Sequence, residues 1–229
     1  MAKEINDKKT PAKEEKGGLI TRDYKTSLQT REENEQGIIE GRPIVFGEYA
    51  DIGGYFREVI MPGALDQTDL TDVRLCLNHD TGYVYARSRN NTANNTMQLI
   101  PDEQGLRIRA NLAIKDSPKA KDFYSAVSRG DMDKMSFMFA VADEEWDDID
   151  TEYPTRKILK IATVVEVSAV TFPAYEATTI NARDKAALES ARLALESAKQ
   201  SRANTLESVG NKLELEKAKF DFLTKFKGD

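Results

Sequence analysis

Residues 158–172 read ILKIATVVEVSAVTF, an apolar run rich in β-branched residues with one carboxylate, Glu166, in its interior. Branching at Cβ favours the pleated strand, and a strand this apolar needs a sheet and a core to bury it. A buried carboxylate without a partner is costly. Glu166 must therefore meet a cation, meet a hydrogen-bond donor or reach water. Three readings follow: a salt bridge to Arg or Lys, an outward-facing position, or a hydrogen bond to an imidazole. Ser168, two residues on and on the same face, fits the structural and the functional readings alike.

Runs of similar character recur from about residue 19 to 180. They fall at 44–46, 73–77, 97–100, 106–112, 136–141, 157–165 and 167–171, broken by Gly, Pro, Asn and Asp. The segment LRIRANLA alternates apolar and polar residues at period two, as a strand with one buried face does. Residues 117–129 place Ala120, Phe123, Ala126 and Val127 at helical spacing, with Gly130 as a C-terminal stop. The pattern predicts an α+β domain over 19–182. Its expected centre is a mostly antiparallel, closed or strongly curved β-barrel with flanking helices.

The two ends differ from this middle. Residues 1–18 alternate Lys and Glu around Thr10-Pro11 and end in Gly17-Gly18, the composition of a disordered tail. Residues 183–229 lack proline and are rich in Ala, Leu, Glu and Lys, which predicts one long helix or two. Leu188, Leu195, Leu206, Val209 and Leu213 form a rough apolar stripe, interrupted by Asn204 and Gly210. Such a helix is expected to pack on a partner or on its own copies.

Composition removes several classes of function. No apolar run approaches the roughly 20 residues that span a bilayer, and the charged start lacks a secretory apolar region. A net charge of −6 argues against a dedicated nucleic-acid surface. One cysteine excludes an intrachain disulfide framework and fits a reducing compartment. With one histidine and one cysteine, a zinc site would be nearly all carboxylate, so no metal is expected. Neither G-x-G-x-x-G nor a P-loop pattern occurs, and no cofactor is implied.

The single histidine, His79, lies in RLCLNHDTG at the end of an apolar run. It is either a half-buried polar residue or the one side chain suited to move protons near neutral pH. Cys76 is three residues away, but residues three apart in a strand face opposite sides, so a buried structural thiol is expected there. Ser136, in GDMDKMSFMF, stands just after a turn at the mouth of a strand. It is either an ordinary strand-edge serine or a nucleophile whose base would be His79. Glu166 is then a candidate third member. Asp80 is a weaker one, because it would have to fold back on its neighbour.

The segments GGYFREVIMPGAL, LNHD, the MSF around Ser136 and EVSAVTFPAYEATTI occur in one order and spacing. In that combination the chain resembles the prohead (capsid-maturation) serine proteases of tailed bacteriophages, a family related in fold to the herpesvirus assemblins. The resemblance covers about residues 20–180. It implies Ser136 as nucleophile, His79 as general base and acid, and Glu166 orienting His79 where assemblin-like proteases use a second histidine. The family commonly has glycine two residues after the serine, where this chain has Met138.

The resemblance further implies an acyl-enzyme endopeptidase acting inside the procapsid in the host cytoplasm. Its expected substrates are scaffold protein or the scaffold-like arm of the major capsid protein, and the protease itself. Those proteins are the expected partners, together with further copies of the chain, a dimer among the options. The helical extension is expected to dock into scaffold or capsid interior and to be removable by self-cleavage. The alternative is a catalytically inactive protein of the same fold that binds during capsid assembly. A hydrolase unrelated to phage would rest on the serine and histidine alone.

Overall fold

The structure, a computed structural model, describes residues 18–24, 28–33, 36–171 and 182–225. Residues 1–17 of the tail expected over 1–18, and residues 172–180 of the last family motif, lie outside the described residues. In chain order the elements are β1 (Ile20–Tyr24), β2 (Leu28–Glu33), β3 (Gln36–Val45), β4 (Tyr49–Ile52), β5 (Phe56–Ile60), β6 (Asp72–Leu77) and β7 (Ala86–Arg89). Then come β8 (Met97–Asp102), β9 (Gly105–Leu112), α1 (Pro118–Ser128), β10 (Lys134–Asp147), β11 (Thr155–Val170) and α2 (Ala182–Lys225).

The strands form a seven-stranded and a four-stranded sheet, which corrects the expected barrel. In the larger sheet β11 pairs antiparallel with β10 along one edge. Its other edge is shared by two parallel partners, β5 beside Thr155–Ile158 and β6 beside Glu166–Ala169. One strand serving two separate neighbours makes the sheet branch, and the smaller sheet runs β2-β3-β9-β8 as its own ladder. Among the described residues no ladder closes the two into a barrel. The pairing is mixed, and α+β is the class that holds.

The core lies where both sheets and α1 meet. Ile39, Ile44, Leu106 and Ile108 of the smaller sheet join Phe137, Phe139, Val164 and Val167 of the larger one, all essentially without solvent contact. Helix α1 adds Ala120, Phe123 and Val127. Its N-cap is Ser117, whose Oγ accepts the Ala120 N–H at 3.2 Å, and Gly130 follows its C-cap at φ +77°. At the turn between β8 and β9, Gly105 has φ +135°, and a Cβ there would lie 2.0 Å from the Ile44 carbonyl oxygen. Only glycine fits.

The runs at 157–165 and 167–171 are one strand, β11, and Glu166 does not interrupt it. The short run at 44–46 is the end of the ten-residue β3. Helix α2 is continuous through Gly210. Ala191 and Leu195 pack its first half against Ile52, Phe56 and Ile149, with Trp146 edge-on to Phe56 at 4.9 Å. Leu206, Val209 and Leu213, further along, are more than half exposed. Among the described residues no helix is long and apolar enough to cross a membrane.

Candidate active site

Three strands deliver the site. β10 carries Ser136, β11 carries Glu166 and Ser168, and His79 follows the end of β6. The registers bring them together: Ser136 is opposite Ser168 across β10 and β11, and Ser168 is beside Cys76 across β11 and β6.

After β6 the chain turns through two left-handed residues, Asn78 at φ +49° and His79 at φ +58°. This region disfavours L-residues by about 1–2 kcal/mol each, with Asn among the more tolerant. Hydrogen bonds to β11 and its extension hold the turn. Asn78 N–H donates to the Ala169 carbonyl at 2.9 Å, and Asn78 Oδ1 accepts the Thr171 N–H at 2.9 Å. His79 N–H donates to Ser168 Oγ at 3.0 Å. The sharp turn aims the imidazole back across the strand ends.

The ring spans two partners. His79 Nδ1 lies 2.7 Å from Glu166 Oε2, and Nε2 lies 2.7 Å from Ser136 Oγ. A carboxylate only accepts, so Nδ1 carries the proton; in the neutral ring Nε2 is then the acceptor for the Ser136 hydroxyl. Ser136 Oγ is also 3.0 Å from the Arg22 carbonyl oxygen on β1, giving its one proton a second acceptor. A protonated ring would donate from Nε2 to Ser136 Oγ, leaving the hydroxyl proton for Arg22. Ser136 and Ser168 are fully buried, and Glu166 nearly so.

The other Glu166 oxygen, Oε1, accepts the Ser168 hydroxyl. Among the described residues the ion-pair partner of Glu166 is the imidazole, not Arg or Lys. Arg74, beside Glu166 in the β6 register, turns its guanidinium to Asp72 at 2.8 Å. Of the three readings left open by the sequence, the geometry is the imidazole hydrogen bond. Asp80 is not part of it: its Oδ1 accepts the Gly82 N–H at 2.9 Å in the following turn.

Cys76 is buried, and burial, with Glu166 and Asp80 adding negative charge nearby, pushes its thiol up to about 12. It stays a protonated thiol. Met138, half-buried, is opposite Glu166 on β11 and Thr21 on β1. Among the described residues no group of three or more His, Cys, Asp or Glu is placed to hold a metal ion.

Sequence reasoning missed two features. One is Asn78, whose left-handed turn sets the ring's direction; Asn-His-Asp ending a strand was the available signal. The other is the buried ion cluster of Arg22, Glu58, Arg156 and Glu144. Glu58 stood in the short strand FREVI beside Arg57, and the cost of burying a carboxylate applied to it as to Glu166.

In form the three side chains, brought together by β6, β10 and β11, have the serine–histidine–carboxylate geometry found in serine hydrolases as a class. The family is narrower: residues 24–191 match the model of the caudovirus prohead serine proteases, and the chain belongs to that family. It is thus a protease of bacteriophage capsid maturation. Among solved structures the bacteriophage T4 capsid assembly protease aligns with 69% of this chain and 99% of its own, at 10% identity and a TM-score of 0.43. No curated protein matches the chain in sequence.

Proposed function

We propose that this protein is a serine endopeptidase in which Ser136 is the nucleophile and His79 its base. The observation that carries the reading is the unbroken series Glu166, His79, Ser136, joined by two contacts of 2.7 Å. His79 Nε2 takes the Ser136 proton as Oγ attacks the scissile carbonyl. Glu166 holds the Nδ1 proton and offsets the imidazolium charge. Main-chain N–H groups at the oxyanion would contribute about 3 kcal/mol each. The imidazolium then protonates the leaving amine, and water, deprotonated by the same ring, releases the acyl group.

Membership of the prohead protease family supports scaffold protein, or the scaffold-like arm of the major capsid protein, as substrate, and the procapsid as the place of action. The chain itself is a further substrate in this reading, and it works alongside other copies, as a dimer among the options. The protease domain is the part over 19–182. The extension from 183 docks into scaffold or capsid interior, and the exposed Leu206, Val209 and Leu213 support that role.

The test is mass spectrometry of the chain incubated with its capsid and scaffold proteins, beside Ser136→Ala. Reproducible cuts that disappear in the variant are expected. Identical masses in both samples, within assembled proheads, would sink the reading and favour an assembly protein that binds without cutting.

A further inference from the structure

Arginine is almost never fully buried unless paired, yet Arg22 on the short strand β1 is 1% exposed. Its guanidinium grips the carboxylate of Glu58 through Nε to Oε1 and through Nη2 to Oε2 at 3.0 Å. Glu58 is completely buried and also accepts from Arg156 Nη1 at 3.0 Å, while Arg156 Nε donates to Glu144 at 3.0 Å. Among the described residues two cations and two anions thus balance. Without Arg22, the remaining three carry one net negative charge around the fully buried Glu58, with Glu144 at the partly exposed end, and that charge is complementary to a cation.

The backbone of Arg22 stands where the chemistry would occur. β1 pairs antiparallel with the edge of β10, Asp23 opposite Ser136 and Arg22 opposite Phe137. The Arg22 carbonyl oxygen is 3.0 Å from Ser136 Oγ. One residue therefore offers its carbonyl to the serine and its side chain to the acidic pocket. Extended peptides bind proteins in this way, by adding a strand to a sheet edge and placing side chains in pockets. The family match begins at residue 24, so Glu58, Glu144 and Arg156 lie within it and Arg22 does not. With β1 in place Ser136 has no exposed surface.

Building on Ser136 as nucleophile, we infer that the β10 edge is the substrate-strand site and that Glu58 selects an arginine whose carbonyl meets Ser136. β1 fills that site in cis and shields the serine. Substrates enter when β1 leaves, and the arginine they bring restores the charge balance that Arg22 supplied.

The test uses the full chain and two readouts: the rate at which a fluorophosphonate labels Ser136, and cleavage of extended peptides differing only in Arg, Gln or Glu before the cut. Arg22→Ala should speed labelling at least about tenfold and cut the Arg peptide at least about tenfold faster than the Gln peptide. Adding Glu58→Gln should remove that preference. Thr21→Pro keeps all four charges but weakens the β1–β10 pairing, and should accelerate labelling as well; it decides the matter if Arg22→Ala does not fold. Labelling no faster in the folded variants, or an Arg preference unmoved by Glu58→Gln, would overturn the inference and leave β1 a structural edge strand. Failure of every folded variant to label or to cut any peptide would instead overturn the assignment of Ser136 itself.

Discussion

Ser168 Oγ accepts the main-chain N–H of His79 at 3.0 Å while its own proton goes to Glu166. One buried hydroxyl thus fixes both the left-handed backbone that aims the imidazole and the carboxylate that orients it. Ser168→Ala would leave a part-buried N–H and a buried carboxylate oxygen without this partner, at about 1–3 kcal/mol. The effect on the reaction is positional. We expect kcat to fall roughly 10- to 100-fold with KM little changed, because a ring displaced by a fraction of an ångström no longer lines up with Ser136. Ser168→Thr, which keeps the hydroxyl, should recover most of the rate. A drop in melting temperature with kcat intact would make Ser168 merely structural.

The buried ion cluster makes a separate prediction about acid. Burial alone would raise the Glu58 carboxyl, but Arg22 and Arg156 outweigh it and hold the group below its usual value. A carboxyl lowered in the folded state stabilises the fold above its unfolded pKa, about 4.3. That contribution is lost as pH falls through the lower, folded value. Glu58→Gln should therefore cost about 3 kcal/mol or more at pH 7, where it strands buried guanidinium charge. The gap from wild type should narrow below about pH 4. Denaturant melts of both proteins from pH 3 to 7 measure it; a constant gap would show that the charge on Glu58 is not what stabilises.

These residues also show what a sequence can reveal. Glu166 was legible because a lone carboxylate in an apolar strand has to be answered, and His79 because there is no other imidazole. Strands β6, β8, β9, part of β10 and most of β11 were legible from apolar runs, and α1 from its spacing and its glycine stop. β1 and β7 were not: ITRDY and ARSR are short and largely polar, and β1 pairs with β10, far along the chain. The barrel expectation failed for a related reason. Whether β11 meets β5 and β6 in parallel is a long-range choice that local alternation does not encode. Nothing beside Arg22 in the sequence marks it as buried, because its partner Glu58 is 36 positions away.

Cys76 gives a sharp contrast between two reagents. With its thiol pushed up to about 12 by burial and neighbouring negative charge, little thiolate exists at pH 8. Iodoacetamide should leave the folded protein unlabelled and peptide cleavage unchanged, while a fluorophosphonate that phosphonylates Ser136 Oγ with loss of fluoride abolishes it. In denaturant Cys76 should alkylate readily. The raised value also means that the thiol favours the fold below its unfolded pKa, near 8.5, and that this contribution fades as pH rises beyond it. Native alkylation at pH 8 with loss of activity would contradict the burial argument and bring Cys76 back into the chemistry.

Helix α2 allows docking to be separated from catalysis, but not by cutting the helix away. Ala191 and Leu195 cover Ile52, Phe56 and Ile149, so removing the whole extension would expose apolar surface of the protease domain and confound the result. Leu206 and Leu213 lie beyond that contact, 62% and 56% exposed. Replacing both with Lys should change stability by no more than about 0.5 kcal/mol, since neither side chain is packed. Peptide cleavage should stay within about twofold of wild type for the same reason. Incorporation into proheads, followed by sedimentation and immunoblotting of assembled particles, should be lost, because each lysine places a charge in the stripe a partner helix would bury. Normal incorporation with normal cleavage would mean that this stretch of α2 is not the docking face, and would move the search to the part of the helix nearer the domain.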